Sequence, residues 1–412
     1  MTRHFPPGGG GGVQRPLKFA THLPALGIET HVLAPDVPGL APTEAELELP
    51  TRAWIHRVRY IGPRAGRPAE RLLAKQGLAR VGTQAALLGR RLLVPDENVP
   101  WSTFALPVAI RLVRREDIDV VLTTSPPPSL HLLGAAVKRA TGAAWVADLR
   151  DPLTSHLHRR GYESQLARLK ETTVGGVARL VASQANAIVA ASDAIAEEVR
   201  GLGPKGKVVT IANGCDFDDF AGLEHHQSSR LRITHTGHFH GKRDPKPFLK
   251  ALAESGLDDV VVRFAGDFRA ADREYAESLG LGDRVELLGD VSRRRSLELQ
   301  RDSEALLLLI PESGGRGRGV LTGKIFEYLA AERPILAVVP ADGAAAHLVR
   351  DTGAGVVVAS DDVEAMREAL LDLHRRWRDG SLDGTPLSAE WRARLARGGR
   401  VEELADLLRS VA

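Results

Sequence analysis

One loop in the second half of the chain combines residue types that could bind a diphosphate. A glycine- and arginine-rich stretch ends at Thr322, and a helical pattern begins at Gly323 and Lys324. The first amides of a helix lack intrahelical acceptors and carry a partial positive charge, which suits a phosphate group. We therefore predict that Thr322, Gly323 and Lys324 bind a diphosphate, and that Glu327, one turn later, accepts the hydroxyls of a ribose. The alternative is a surface loop before a core helix. The loop is not a Walker A loop, because the spacing from Gly319 to Gly323 is one residue short.

A second basic loop follows the apolar run 232–236. Lys242 and Arg243 stand just before a helix that begins near Pro245. Cations at such a position suit a pyrophosphate, and we predict that both residues contribute to the same diphosphate site. The neighbouring His238 and His240 have no metal-ligand spacing, so no metal site is predicted.

The amino end carries a third loop, with five consecutive glycines from Gly8 to Gly12. Glycine lets the backbone approach a ligand closely, and an amphipathic helix follows. Such a loop normally follows a buried strand, which is missing here: either the chain starts at an incorrect methionine or the sheet lacks its first strand. The alternative is a flexible tail. We predict that a loop made of Gly9, Gly10, Gly11, Gly12, Gln14 and Arg15 binds an anion or a polar acceptor, and we call it the acceptor loop.

A fourth group, Asp148, Arg150 and Asp151, directly follows the apolar run 144–147. Charges at the carboxyl end of a parallel strand face the ligand-binding edge of the sheet. Two carboxylates around an arginine could orient a sugar hydroxyl or accept its proton, which makes these three residues candidate catalytic groups. The alternative is a structural ion pair that holds the loop.

Short β-branched runs alternate with amphipathic runs along the chain, which predicts parallel sheets covered by helices on both faces. The pattern stops near Asn213 and restarts at Arg232. Predicted helices include 129–140, 163–185 and 192–200. Predicted strands are 119–123, 144–147, 187–190, 207–211, 232–236, 260–264, 284–288, 305–310, 335–339 and 355–358.

This pattern predicts an α/β protein with two doubly wound, Rossmann-like domains facing across a cleft, where the ligands are expected. The predicted boundaries are a first domain over 1–214, a linker over 215–230, a second domain over 231–386 and a helix over 387–412 that packs back on the first domain.

Composition excludes several classes of protein. The 412 residues carry a net charge of +3, too balanced to indicate nucleic-acid binding, and Cys215 is the only cysteine, which excludes an internal disulfide. No apolar run is long enough to cross a bilayer and no secretory signal is evident, so we expect a cytoplasmic protein. A basic amphipathic stretch over 63–101 is either a solvated face or a contact with an anionic membrane or lipid acceptor.

Together these motifs resemble those of retaining glycosyltransferases of family 4, which have the GT-B architecture. Asp148-Leu149-Arg150-Asp151-Pro152 is similar to the Asp-x-Arg-Asp motif of a bacterial branch of that family. The interdomain signature, the phosphate-binding loop and the second half of the Glu-x7-Glu motif also match, in the order expected. They are Ile211-Ala212-Asn213-Gly214-Cys215-Asp216, then Thr236-Gly237-His238 with Lys242-Arg243, and Gly323-Lys324-Ile325-Phe326-Glu327-Tyr328-Leu329-Ala330.

The resemblance implies transfer from a nucleotide-diphosphate sugar to a glycan or lipid-linked acceptor, with retention of configuration and without a metal or other cofactor. It also implies that the first domain, 1–214, is the acceptor-binding domain and the second, 231–386, the nucleotide-sugar-binding domain, and that Asp290 and Val291 frame the base. Ala212 and Cys215 depart from the interdomain signature, and two further departures bear on the site. Gly319 replaces the first motif glutamate, so sugar recognition differs or uses neighbours such as Glu312 or Arg318, and His238 replaces the usual arginine. A nucleotide-sugar epimerase and a non-catalytic GT-B binding protein therefore remain alternatives. A glycogen-type phosphorylase is a weaker one, because no pyridoxal phosphate motif is evident.

Overall fold

The computed structural model describes residues 1–8, 11–36, 49, 51–61, 93–153, 165–239, 243–312 and 317–412. The chain divides into two compact units: unit 1 is formed by Met1–Ala212 with Val401–Ala412, and unit 2 by Asn213–Arg400. Predicted residues Gly9, Gly10 and Lys242 lie outside the described residues, as do 63–92 of the basic stretch. No helix within the described ranges combines the length and apolar character that a membrane span requires.

Unit 1 contains a two-stranded and a four-stranded parallel sheet, in the orders β1-β2 and β3-β4-β5-β6. Its strands are β1 (His31–Asp36), β2 (Trp54–Arg59), β3 (Val120–Ser125), β4 (Ala144–Leu149), β5 (Ala187–Ala190) and β6 (Lys207–Thr210). Its helices are α1 (Gly11–His22), α2 (Val99–Arg115), α3 (Ser129–Thr141), α4 (Gln165–Gln184) and α5 (Asp193–Arg200).

Both faces of the four-stranded sheet are covered. Buried side chains at helical spacing on α4, including Val174, Val177 and Val181, pack on one face. The other face contacts Phe19 of α1 and Leu404 of the carboxyl-terminal segment. Burial on both faces explains why β4 is apolar along most of its length, with every residue buried.

The first two residues form hydrogen bonds with strands of both sheets in unit 1. The amino group of Met1 donates to Leu122 O of β3 over 2.7 Å, and Thr2 N–H donates to Leu33 O of β1 over 3.1 Å. In return, Thr124 N–H donates to Met1 O over 3.3 Å. Two residues thus join the two sheets of unit 1, although they are too few to form a strand of their own.

Unit 2 contains one six-stranded parallel sheet with the order β12-β11-β10-β7-β8-β9. Its strands are β7 (Leu231–Thr236), β8 (Val260–Ala265), β9 (Val285–Gly289), β10 (Ala305–Leu309), β11 (Ile335–Val338) and β12 (Gly355–Val358). Its helices are α6 (Lys246–Glu254), α7 (Ala270–Ser278), α8 (Arg293–Arg301), α9 (Gly323–Ala331), α10 (Ala344–Asp351), α11 (Val363–Arg378) and α12 (Ala389–Leu395). A last helix, α13 (Arg397–Arg409), begins in unit 2 and ends in unit 1.

The doubly wound α/β prediction is confirmed, and each predicted strand is present within two residues at either end. The predicted single helix over 387–412 is two helices, α12 and α13. The predicted linker 215–230 belongs to unit 2 and packs closely: Asp216 accepts from Arg397 over 2.7 Å. Burial raises the pKa of the neighbouring Cys215 thiol to about 12, so this cysteine is an unreactive core residue.

Candidate functional site

The start of α9 presents unpaired polar groups. Thr322 precedes the helix with extended backbone, and its side chain forms no cap hydrogen bond. Its Oγ1 atom is buried without a hydrogen-bond partner among the described residues. Gly323, the first helical residue, is exposed. The amides of Gly323 and Lys324, which come before the first hydrogen-bonded amide of α9 at Ile325, are therefore the groups that face a ligand at this helix start.

Lys324 extends from this turn toward the end of β7. Its Nζ lies 3.2 Å from His235 Nε2, while His235 Nδ1 lies 2.8 Å from Leu307 O. Because a carbonyl can only accept, Nδ1 carries the ring proton and Nε2 accepts from the lysine. The neutral histidine thereby fixes the position of the lysine amino group.

Gly237 makes room for this lysine. Its φ is +112°, and a Cβ atom there would lie 2.4 Å from Lys324 Cε and 2.5 Å from Nζ. The backbone conformation therefore requires glycine, and any larger side chain would also displace the end of Lys324 from this position. The first glycine of the predicted basic loop thus serves to seat Lys324 beside β7.

The site contains two basic side chains, Lys324 and Arg243, that are largely buried from solvent. Burial, and then the nearby Arg243, lower the pKa of Lys324 well below its usual value, and Glu327 only partly opposes them. Arg243 donates to two backbone carbonyls, Leu309 O over 3.1 Å and His238 O over 2.8 Å. Two desolvated cations beside open helix amides form an arrangement that a bound anion would stabilise.

Glu327 is held one turn into α9. Its Oε1 pairs with Arg293 over 2.8 Å, and its Oε2 accepts from Gln300 over 3.1 Å. Arg293 also pairs with Asp219 over 2.7 Å. Although burial opposes its charge, these carboxylates raise the pKa of Arg293, so it remains charged. The network fixes the Glu327 carboxylate, which stays partly exposed.

The remaining predicted residues of unit 2 lie on loops. Asp290 is largely exposed, 3.5 Å from His238 Nδ1, and Val291 is half-buried. His238 Nδ1 also accepts from Asp267 N–H over 3.0 Å. Arg318 pairs with Glu312 over 3.3 Å, so the two residues expected to compensate for Gly319 contact each other.

In unit 1, the structure separates the roles of the two predicted catalytic aspartates. Asp148 is fully buried: Arg15 donates to both of its carboxylate oxygens, and Thr124 donates over 2.7 Å. Arg15 also donates to Ile211 O over 2.8 Å. Asp148 is inaccessible to a substrate in this arrangement. Its pairing with Arg15 agrees with the alternative of a structural ion pair rather than with a catalytic role for Asp148. Asp151 remains half-buried, at the outer end of the motif.

Arg150 ties the motif to the acceptor loop. Its guanidinium donates to Gly12 O, and to Ser125 O over 2.8 Å. Gly12 O is free to accept because Pro16, four residues later, has no N–H to donate within α1. The arginine thus replaces a missing helix hydrogen bond and positions Gly11 and Gly12 rather than reacting itself.

One histidine completes this part of unit 1. His4 lies beside Gly12 and Arg150, and burial followed by the charge of Arg150 lowers its pKa to about 4. It is therefore neutral at pH 7, and the Asp151 carboxylate partly opposes the shift. The Oε1 atom of Gln14 is buried without a partner among the described residues. His4, Gln14 and Asp151 are polar side chains of this region that are not fully buried.

Replacing Asp148 tests its structural role. We expect Asp148→Ala to lower the free energy of unfolding of unit 1 by about 3–5 kcal/mol, because Arg15 would stay buried without its partner. Asp193→Ala, at an exposed position of the same unit, is the matched control and should have little effect. Urea denaturation measures both, and equal stability of the two variants would contradict the structural role.

Comparison with known families decides the classification. A model of Glycosyltransferase Family 4 matches residues 9–219, and a model of Glycosyl transferases group 1 matches residues 230–376. The chain belongs to glycosyltransferase family 4. No curated protein shows significant sequence similarity to it.

Solved structures support the fold of this family 4 member. A glycosyltransferase from Rickettsia africae is 14% identical, with a TM-score of 0.62 over 100% of this chain and 97% of that one. Anabaena HepE in complex with UDP-glucose is 14% identical, with a TM-score of 0.65 over 99% and 98%. A putative UDP-N-acetylglucosamine 2-epimerase from Listeria monocytogenes is 13% identical, with a TM-score of 0.52 over 94% and 90%. These likenesses establish the GT-B fold.

The residues that support the site from behind were not predicted from the sequence. His235 lies inside an apolar strand, where a histidine is usually a satisfied core residue, and Arg293 belongs to a run of three arginines typical of a solvated helix face. His4 stands shortly before the glycine loop, where its residue type alone assigns it no role. The sequence contains one signal for such a residue, a polar side chain within an apolar strand, and His235 is the residue that shows it.

Proposed function

We propose that this glycosyltransferase moves a sugar from a nucleotide-diphosphate sugar to a glycan or lipid-linked acceptor, with retention of anomeric configuration. The observation that carries the proposal is the arrangement of Lys324 and Arg243 beside the open amides of α9. Burial lowers the pKa of both side chains, and no side chain caps the start of α9 within the described ranges.

The roles of the unit 2 residues follow from their geometry. The amides of Gly323 and Lys324, the Thr322 hydroxyl and the two cations would bind the diphosphate. As the bond between sugar and phosphate breaks, negative charge grows on the departing diphosphate, and preorganised donors stabilise it most where water is scarce. Glu327 would accept the ribose hydroxyls, and the loop with Asp290 and Val291 would frame the base. Lys242 joins the site in this proposal.

The acceptor is assigned to unit 1, at the loop that contains Gly11, Gly12 and Gln14. Asp151 is the accessible carboxylate of the Asp-x-Arg-Asp motif and would orient or deprotonate the acceptor hydroxyl. Asp148 and Arg150 would act as positioning residues for this loop. A glycan or lipid-linked acceptor, and contact with an anionic membrane through the basic stretch, remain parts of the proposal.

Incubation with donor alone separates the proposal from its main rival. This rival is a nucleotide-sugar epimerase, which the structural likeness to the putative Listeria monocytogenes epimerase favours. Such an enzyme would interconvert nucleotide sugars without an acceptor. We expect release of nucleoside diphosphate only when a glycan or lipid-linked acceptor is present, with the sugar recovered on the acceptor. Isomerised nucleotide sugar in the donor-only reaction would favour the epimerase, and donor binding without turnover would favour the non-catalytic alternative.

Asp151 can be tested separately from the donor site. We expect Asp151→Asn to lower kcat by at least about 100-fold while leaving the Kd of the nucleoside diphosphate unchanged. Asp193→Asn, at an exposed aspartate of α5, is the control. Steady-state kinetics would contradict the role if kcat stayed within a few-fold of the parent.

Diphosphate binding should also take up a proton. Lys324 has a depressed pKa in the free protein, and a bound anion would raise it again. Between these two pKa values, binding is expected to take up as much as about one proton, and affinity should fall as pH rises through the lower value. Titration calorimetry in buffers of different ionisation enthalpy measures the uptake. Lys324→Arg should abolish it, because arginine stays charged.

A further inference from the structure

A glutamine without any exposed surface lies on the inner face of α8. This residue is Gln300, and the other buried residues of the helix, Leu297 and Leu299, are apolar. Glutamine is mostly exposed in folded proteins, because a buried amide needs hydrogen-bond partners for both its nitrogen and its oxygen. The amide of Gln300 therefore serves the residues that it bonds to rather than the packing of the core.

The nitrogen of this amide bridges two elements of unit 2. It lies 3.0 Å from Thr236 Oγ1 at the end of β7 and 3.1 Å from Glu327 Oε2 in α9. A third oxygen, Ser296 Oγ, lies 3.2 Å away. Because a carboxylate only accepts hydrogen bonds, the nitrogen of the amide and not its oxygen must face Glu327. One side chain thus connects the carboxylate proposed for the ribose to the last residue of β7.

The end of β7 belongs to the diphosphate side of the site. The N–H of Thr236 donates to the hydroxyl of Tyr328 over 2.9 Å, so this residue is fixed through both its backbone and its side chain. Its neighbours in sequence are His235, which contacts the amino group of Lys324, and Gly237, which makes room for it. The glutamine accordingly connects the two parts of the donor site, one for the ribose and one for the diphosphate.

The oxygen of the same amide is left unpaired. Gln300 Oε1 is buried and has no hydrogen-bond partner among the described residues. An unpaired buried acceptor destabilises a folded protein. Turning the amide over would not relieve this, since Oε1 would then face the carboxylate of Glu327 and both groups are acceptors. The chain thus retains an unfavourable group at this position, which is typical of functional sites rather than of structural ones.

We propose that Gln300 is a positioning residue of the donor site. Its amide orients the Glu327 carboxylate toward the ribose hydroxyls and holds it in register with the end of β7, so that ribose and diphosphate are recognised together. The inference rests on the proposed function, because it requires that Glu327 binds the ribose. Without the amide, Glu327 would keep its ion pair with Arg293 but lose its second contact, and its carboxylate would turn about that pair.

Nucleoside diphosphates with and without ribose hydroxyls test this role. Titration calorimetry of the full chain with ADP, CDP, GDP and UDP identifies the one that binds most tightly, and its 2′,3′-dideoxy analogue is the paired probe. The ratio of the two Kd values measures ribose recognition separately from diphosphate binding. The same ratio is measured for the parent and for Glu327→Ala.

Three further variants isolate the amide. Gln300→Met keeps the length of the side chain and removes the unpaired oxygen together with the nitrogen. Gln300→Asn keeps an amide but is one carbon too short to reach both partners. Ser296→Ala is the matched control, since it removes the third neighbour of the amide and leaves the two bridged residues in place.

We expect Gln300→Met to lower the ratio of Kd values by at least about tenfold, as the loss of a hydrogen bond to a charged group would. Its Tm should stay within about 3 °C of the parent, because the unpaired oxygen is removed at the same time. Gln300→Asn should also lower the ratio, whereas Ser296→Ala should keep that of the parent. An unchanged ratio in Gln300→Met, or equally weakened binding of both probes with a lower Tm, would overturn the role of Gln300.

The measurements also separate this inference from the proposed function. If Glu327→Ala loses ribose discrimination and neither Gln300 variant does, the donor site stands and the role of Gln300 is wrong. If none of the four diphosphates binds, or if Glu327→Ala discriminates as the parent does, the donor site itself is contradicted and the role of Gln300 fails with it. Gln300→Asn decides the question if Gln300→Met does not fold.

Discussion

Lys324→Ala is expected to lower turnover by at least about 100-fold, in line with the loss of a preorganised group that stabilises a leaving group. The reason is the placement of the amino group: His235 and Gly237 hold it beside the open turn of α9, where a diphosphate would lie. Steady-state kinetics with donor and acceptor measure the effect. Lys324→Arg should retain part of the activity, since it restores charge but not the compact ammonium.

The same substitution should not destabilise the protein. Lys324 is desolvated and, when protonated, repelled by Arg243, and relief of these two costs offsets the loss of its contact with His235 in the absence of ligand. We expect the Tm of Lys324→Ala to equal or exceed that of the parent. Lys250→Ala, at a half-exposed lysine that pairs with Glu254, is the matched control for the loss of one cation. Near-normal turnover in Lys324→Ala would contradict the assignment of Lys324 to the diphosphate site.

Glu327→Ala is expected to lower kcat/KM for the donor by about 100-fold, because a site built to bind hydroxyl groups loses its acceptor. The substitution also removes one of the two carboxylates that pair with Arg293, the other being Asp219, so stability must be measured alongside. Glu327→Gln preserves size and hydrogen bonding to Gln300 but removes the charge paired with Arg293.

Glu327→Ala and a donor without ribose hydroxyls can be combined in a thermodynamic cycle, analogous to a double-mutant cycle. If this carboxylate binds the ribose, the parent enzyme should discriminate strongly against a 2′,3′-dideoxy donor, and Glu327→Ala should discriminate little. A variant that still distinguishes the two donors as the parent does would show that another group binds the ribose. Folding defects affect both donors equally and cannot imitate this pattern.

The sequence was sufficient for most of the fold because buried parallel strands leave a distinct pattern. Strands such as β4 and β10 are predominantly apolar runs, and both were located closely. β1 and β2 were not predicted: β1 contains Pro35, and β2 mixes arginines and a histidine with its apolar residues.

The candidate site was only partly accessible from sequence. The loop before α9 was recognisable because glycines and a lysine at a helix start have a direct physical meaning. The difference between Asp148 and Asp151 was not, because burial of Asp148 depends on Arg15, 133 residues away in sequence. The support of Glu327 by Arg293 likewise depends on tertiary packing, which residue spacing does not reveal.

A crystal structure of the protein with a bound nucleoside diphosphate tests the diphosphate site most directly. We expect phosphate oxygens within hydrogen-bond distance of the Gly323 and Lys324 amides and of Lys324 Nζ, with the ribose hydroxyls on Glu327. A diphosphate bound elsewhere, with the start of α9 covered by protein or solvent, would contradict the assignment.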